Sequence, residues 1–270
     1  DATTISRRLR RLEADLGMTL FERTRRGHVL TPDGLEIARR AEELEQSALD
    51  IRNYADAGDV QAAGRVRLGV TEGLGASLIA PALARFGETH PQIEIDLIAQ
   101  SGFVSVPKRE ADMSIMLARP QTGRLKVLKL SDYTISLYAA RTYLNTRPVI
   151  RNVDDLKRHK LIGYVDELIY SPALRYYDEV LPGLTPSLCS SSIVAQLAMT
   201  RAGAGVAMLP RFMAHGLPDL THILPDHVRV DRSFWLATHE DMHQLARIQA
   251  VRDFLVQLFS TNRGLLSRQD

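Results

Sequence analysis

Thr3-Thr4-Ile5-Ser6-Arg7-Arg8-Leu9-Arg10-Arg11-Leu12-Glu13-Ala14-Asp15-Leu16-Gly17 is the stretch from which the fold is read. At 3.6 residues per turn, Ile5, Leu9, Leu12 and Leu16 share one face at steps of four, three and four, while Thr4, Arg7, Arg8 and Arg11 share another. Asp1 is placed to cap this helix and Gly17 to end it. One face packs; the other presents hydroxyls and guanidiniums, which suits a DNA major groove, where Arg forks reach guanine edges and phosphates. An ordinary amphipathic surface helix carries the same pattern, so the neighbouring residues must decide between the two.

Met18 to Thr24 and Val29 to Thr31 are short extended runs around a basic turn that contains Gly27, the signature of a β-hairpin. A basic-faced helix followed by a basic-tipped hairpin is the second half of a winged helix-turn-helix, with Arg23, Arg25 and Arg26 placed for backbone phosphates. Thr31-Pro32-Asp33 then opens a second helix, with Thr as cap, Pro at the first helical position and an acid in the first turn. That helix is expected to run to about residue 57. Its apolar residues Ile37, Ala41, Leu44, Ala48, Ile51 and Ala55 alternate steps of four and three, the seam of a coiled coil, so self-pairing into a dimer is expected. Packing within its own domain is the alternative that the spacing leaves open.

At 270 residues, with 45% hydrophobic and 24% charged residues, the chain is long enough for more than one unit and ordinary for a globular protein. Net charge is only +2, yet residues 1–30 hold seven Arg against four acids, a local surplus suited to phosphates. A single cysteine, Cys189, excludes an internal disulfide framework and fits a reducing, cytoplasmic setting. No run of eighteen apolar residues and no apolar secretion core occur, so no membrane partner is expected.

After a small-residue linker, residues 58–63, the pattern becomes α/β. Val66, Leu68 and Val70 alternate as a strand, followed by a Gly-rich turn and a helix from about Ala76 to Thr89. Further strands are expected at Ile93 to Ala99, Met113 to Leu117, Val127 to Leu130 and Thr134 to Ala139. The pattern restarts with strands at Leu161 to Val165, Ser187 to Ser190 and Val206 to Leu209, a helix from Ile193 to Ala202, a return strand Phe234 to Thr238 and a closing helix Met242 to Phe259. Strands alternating with helices imply a mixed or largely parallel sheet whose ligands sit at the carboxyl ends of strands. The chain thus divides into a partial winged helix-turn-helix (1–31), a linker helix (32–57), a hinge (58–63) and an α/β domain (64–270) of two subdomains, 64–137 with 238–270, and 138–237.

Six stretches carry a family resemblance: Ser6 to Glu13, Leu16-Gly17, Leu20-Phe21-Glu22-Arg23-Thr24, Leu30-Thr31-Pro32-Asp33-Gly34, Arg109 to Ile115, and Arg201 to Pro210. Together, in this order, they resemble the LysR-type transcriptional regulators over essentially the whole chain. The resemblance implies a winged helix, a dimerising linker helix and a periplasmic-binding-protein-like effector domain. It also implies that the first helix of the reading head precedes Asp1. Thr3, Thr4, Ser6 and Arg7 then match positions that face DNA, with Arg11 on the same basic face, and Arg23 and Arg26 match wing contacts. For a small-molecule effector the resemblance points to Thr71, Glu72, Gly73 and Leu74, to Ser101, Gly102 and Phe103, to Met116 and Tyr164, and to Ser190, Ser191 and Ser192. Hydroxyls and free amides at helix starts suit an anionic or hydroxylated ligand, although each serine also serves as a simple helix cap. Implied partners are promoter or operator DNA, a second copy in a homodimer with pairing into a homotetramer beyond it, and RNA polymerase. No cofactor is implied.

Enzymatic readings compete poorly. His239-Glu240-Asp241-Met242-His243 satisfies the H-E-x-x-H pattern of zinc peptidases, but no Glu follows that could serve as a further ligand, and the stretch begins where a strand ends. The turn after Val70 lacks the Lys-Ser/Thr of a phosphate loop. Cys189 has no positioned base and reads as a buried strand residue. A solute receptor without DNA function is the other alternative.

Overall fold

The computed structural model describes residues 2–24, 27–38, 40, 41, 44, 48, 62–102, 106, 110–180 and 182–267. Two compact units divide at Val60 and Gln61. In the first, helix α1 (Ala2–Leu16) ends at Gly17, whose φ is +68°, and the Met18 N–H reaches back to the Glu13 carbonyl at 3.2 Å. Strands β1 (Phe21–Thr24) and β2 (Gly27–Leu30) pair antiparallel, with Phe21 opposite Leu30 and Thr24 opposite Gly27. The Glu13 carboxylate fastens hairpin to helix, accepting the N–H groups of Leu20 at 2.8 Å and Phe21 at 3.1 Å.

The second helix, α2, begins at residue 32 and includes 32–38, 40, 41, 44 and 48 among the described residues. Thr31 caps it: its hydroxyl accepts the Gly34 N–H at 2.9 Å and donates to the Thr19 carbonyl at 2.7 Å. Gly34 is there for space. A Cβ at that position would lie 2.0 Å from the Leu20 carbonyl oxygen. The packing face expected on α1 is only partly covered, with Leu9 half-buried and Leu12 and Leu16 exposed by 41% and 42%.

Among the described residues, the second unit is built on a nine-stranded mixed sheet in the order β4-β3-β5-β11-β6-β9-β7-β8, with β10 (Leu220–Ile223) also pairing with β6. Strand β3 (Gly64–Thr71) lies parallel to β4 (Ile93–Gln100) and β5 (Met113–Met116), while β7 (Leu161–Gly163) lies parallel to β8 (Leu188–Cys189) and β9 (Val206–Pro210). The long antiparallel pair β6 (Leu125–Ala140) and β11 (Val230–His239) joins these two parallel groups. Core side chains from both groups, among them Leu68, Ile115, Tyr133, Leu137, Leu209 and Phe234, are almost fully buried.

Several elements differ from their sequence expectation. The two strands expected at 127–130 and 134–139 are one, because the polar Ser131 and Asp132 between them mark a crossing rather than a turn; a bulge there shifts the register, Phe234 facing Ser131 and Trp235 facing Lys129. Asp132 is held by Lys129 at 2.7 Å and by the Ser233 hydroxyl, which together keep its carboxyl below the usual range. The supposed Gly-rich loop is helical from Glu72: an α-turn (Glu72–Leu74), a π-turn (Gly75–Ile79) and an α-helix (Ala80–Thr89) run on as one element, α3, because burial of Leu74, Leu78 and Ile79 outweighs the low helix propensity of Gly73 and Gly75. Helix α4 (Ile193–Arg201) is as expected within a residue. The closing helix, α5, begins at Ala246 rather than Met242 and runs to Thr261, and Cys189 is exposed on the two-residue strand β8 rather than buried.

Candidate functional site

All the parallel strands of the second unit run their carboxyl ends toward one cleft. Thr71 closes β3, Ser101 follows β4, Leu117 follows β5, Tyr164 follows β7, Ser191 lies two residues beyond β8 and Phe212 two beyond β9. This is where an α/β sheet binds ligands, since loops and helix starts gather there. Thr71, Glu72, Gly73, Leu74, Ser101, Tyr164 and Ser191, all expected from sequence, line the cleft. Gly102 and Met116 instead line an adjoining cavity, which shares Thr71, Leu117 and Tyr170 with the first. Phe103 lies outside the described residues.

Glu72 is the centre of the site. One carboxylate oxygen accepts the Ser101 hydroxyl at 2.8 Å and the other the Ser192 hydroxyl at 2.9 Å. Ser192 also caps α4, accepting the Ala195 N–H at 3.0 Å, so one hydroxyl both starts a helix and binds a carboxylate 120 residues away. Ser190 holds the turn: its hydroxyl accepts the Ser192 N–H, and its carbonyl accepts from the buried Gln196 amide. Two of the hydroxyls read from sequence as ligand donors, those of Ser101 and Ser192, therefore donate to Glu72.

Aromatic rings form the rest of the wall. Four of the eight tyrosines, Tyr133, Tyr164, Tyr170 and Tyr176, line the cleft together with Phe212 and Phe234. Tyr133 stacks on Phe234 at 4.1 Å between centroids, and Tyr164 meets Tyr176 edge-on at 6.2 Å. Burial pushes all four phenols up, Tyr170 to about 12, and the Glu72 carboxylate raises Tyr164 and Tyr170 further, so the rings stay neutral. The guanidinium that bears on Tyr133 and Tyr176, Arg232, is tied to Glu179 and to the Ala173 carbonyl. Of these aromatic residues only Tyr164 was expected. The available signal was the spacing of six between Tyr164, Tyr170 and Tyr176 in a segment without long regular elements.

In the first unit, Ser6, Arg7, Arg8, Arg10 and Arg11 are all exposed on α1, with Arg11 only 3.9 Å from Asp15. Thr3 and Thr4 belong to the same helix, and Arg23 to β1, but their side chains lie outside the described residues, as do Arg25 and Arg26 entirely. On α2, Ile37 is half-buried, Ala41 and Ala48 are exposed, and Leu44 is 72% exposed; Ile51 is outside the described residues.

The peptidase-like stretch has the wrong shape. His239 ends β11, the residues up to Leu245 form turns, and Glu240 pairs with Arg124 at 3.6 Å and Lys126 at 3.8 Å. The two histidines therefore do not share a helix face, and among the described residues no cluster of His, Cys, Asp or Glu is placed to hold a metal.

Comparison with known proteins agrees with this geometry. Residues 60–260 match the LysR substrate binding domain, and residues 1–35 match the bacterial regulatory helix-turn-helix protein of the lysR family. The chain belongs to the LysR-type transcriptional regulators. It is 24% identical over 273 residues to the HTH-type transcriptional regulator CrgA of Neisseria meningitidis serogroup C, covering 96% of this chain and 89% of that protein. It is 27% identical over 217 residues to the HTH-type transcriptional regulator PtxR of Pseudomonas aeruginosa, covering 77% and 68%. Among solved structures, CrgA from Neisseria meningitidis matches with a TM-score of 0.67 at 22% identity over 96% of this chain and 90% of that one. The full-length virulence activator AphB of Vibrio cholerae matches with a TM-score of 0.62 at 21% identity, covering 95% and 90%. This LysR-type chain thus has the fold expected for it, a helix-turn-helix segment and an α/β effector domain, and among the described residues no helix is long and apolar enough to cross a membrane.

Proposed function

We propose that this regulator reads a DNA duplex of twofold symmetry with the exposed face of α1, and that a small molecule in the cleft of the second unit alters that reading. The observation that carries the proposal is the cleft itself, where the carboxyl ends of the parallel strands converge on Glu72. Thr3, Thr4, Ser6, Arg7 and Arg11 contact the groove, and Arg23, Arg25 and Arg26 the flanking phosphates. Residues 1–31 form the reading head, 32–57 the linker helix and 58–63 the hinge. In the effector domain, 64–137 with 238–270 move against 138–237, and Glu72, Ser101, Gly102, Phe103, Met116, Tyr164 and Ser190 to Ser192 surround the ligand. Ser192 on α4 and Glu72 on α3 are then a bond between the two halves that a ligand strengthens or breaks, and only its differential affinity for the two arrangements can do so.

Ile37, Ala41, Leu44, Ala48 and Ile51 pair with the same residues of a second copy, and the exposure of Leu44 supports this. Homodimers associate further into a tetramer, and the assembly works in the cytoplasm on promoter DNA beside RNA polymerase. Selection of bound duplexes from a random pool tests the reading: two inverted half-sites about one helical turn apart, or a multiple of it, are expected. Recovery of no common sequence would refute it.

A further inference from the structure

We propose that the ligand of the cleft is a cation, an amine or amidine on an apolar or aromatic body, with its charge at Glu72 and its body reaching into the adjoining cavity. This rests on the reading of the cleft as the effector site.

The argument begins with charge. Among the described residues that line the two cavities, Glu72 is the one ionisable carboxylate, and no Lys, Arg or His is present. Hydroxyls at the end of β4 and at the start of α4 would ordinarily invite an anion, yet here both donate to Glu72. An anionic ligand would have to displace that carboxylate, or lie against it in a cleft whose walls are largely aromatic and aliphatic, where like charges are costly. Arg232 offers no compensation, because its guanidinium is committed to Glu179 and the Ala173 carbonyl.

A cation meets the opposite situation. A carboxylate offers about four lone-pair sites, and the two serines use one on each oxygen, which leaves acceptor capacity facing the cleft. Neutral tyrosine rings carry a negative face that attracts ammonium and guanidinium groups, and Tyr164 and Tyr170 sit close enough to Glu72 to feel its charge. The adjoining cavity is walled by Val70, Ile115, Met116, Leu117 and Pro172, which suits an apolar body. Because Thr71, Leu117 and Tyr170 belong to both cavities, one elongated molecule can occupy the pair. Drawing Glu72 toward such a ligand also loosens its bond to Ser192, which links ligand charge to the relation between α3 and α4.

Matched trios of small molecules test the assignment. Each trio is a primary amine, an alcohol and a carboxylate on one body, for example phenethylamine, phenethyl alcohol and phenylacetate, extended to alkyl chains of increasing length. Binding to the whole protein is followed by calorimetry and thermal shift. The amine of at least one trio is expected to bind ten times or more tightly than its alcohol, with no binding of the carboxylate, and Glu72→Gln is expected to abolish that preference. A preference for carboxylates, or an amine preference that survives Glu72→Gln, overturns the charge assignment but leaves the cleft as a ligand site. Absence of binding by every member overturns both. The ranking in the unsubstituted protein stands whether or not Glu72→Gln folds.

Discussion

In the first unit the groups offered to a partner are neighbours in sequence: Ser6, Arg7, Arg8, Arg10 and Arg11 lie exposed along a single helix. In the second, the groups that meet at Glu72 come from the end of β4, 29 residues away, and from the start of α4, 120 residues away, and they are walled by buried rings. An outward-facing site needs only local periodicity, and its charges contribute little to folding. An enclosed site is made by the core, so the residues that shape it also hold the domain together. Substitutions should therefore separate recognition from stability in the first unit and entangle them in the second.

The strongest break is Phe234→Ala. This ring is 1% exposed, stacks on Tyr133 and meets Phe212 and Phe259 edge-on, so its loss should cost about 3–5 kcal/mol in urea unfolding and weaken cleft binding together. Leu44→Asp comes next and should act between chains only. With Leu44 72% exposed, the dimer dissociation constant measured by sedimentation should rise by about tenfold or more, about 1.4 kcal/mol, while the chain keeps its helix content. An unchanged mass would remove the coiled-coil seam from the account. Gly34→Ala should cost about 1–3 kcal/mol in the stability of the first unit, because the new methyl meets the Leu20 carbonyl, and hydrogen exchange on that unit would detect it.

The smallest effect concerns pH. His159 is 8% exposed beside Tyr143, and burial first, with Arg158 second, holds its pKa below the ordinary 6.5. The native state then binds fewer protons than the unfolded chain, so stability is full above about pH 6.5 and falls as pH drops toward the native pKa. Urea midpoints measured from pH 7 to pH 5 should decline, and His159→Gln should flatten the decline.

How far these features were legible follows the same division. The helix caps and the hairpin depend on spacing within about ten residues, and Thr31 and Gly17 announce themselves in the sequence. Thr71 to Leu74, Ser101, Tyr164 and Ser191 were placed by the family resemblance, and they line the cleft because they follow strand ends in an α/β order. The direction of Glu72 could not be read, since its partner Ser192 arrives through a different strand group. Tyr133 and Phe234 were missed for a related reason: they sit on β6 and β11, whose crossing looks in sequence like two separate strands and a turn. Ser190, Ser191 and Ser192 suit an anionic or hydroxylated ligand when read from sequence; in the structure the Ser192 hydroxyl donates to Glu72 and the Ser190 hydroxyl accepts the Ser192 N–H.

Arg7→Ala, titrated against a selected duplex over a range of salt, is the most direct measurement. With α1 reading DNA, the dissociation constant should rise about tenfold or more and the salt slope should fall by about one, while the unfolding free energy stays within about 0.5 kcal/mol of the parent. An affinity and a salt slope that ignore Arg7 would contradict the assignment of α1 as the reading surface.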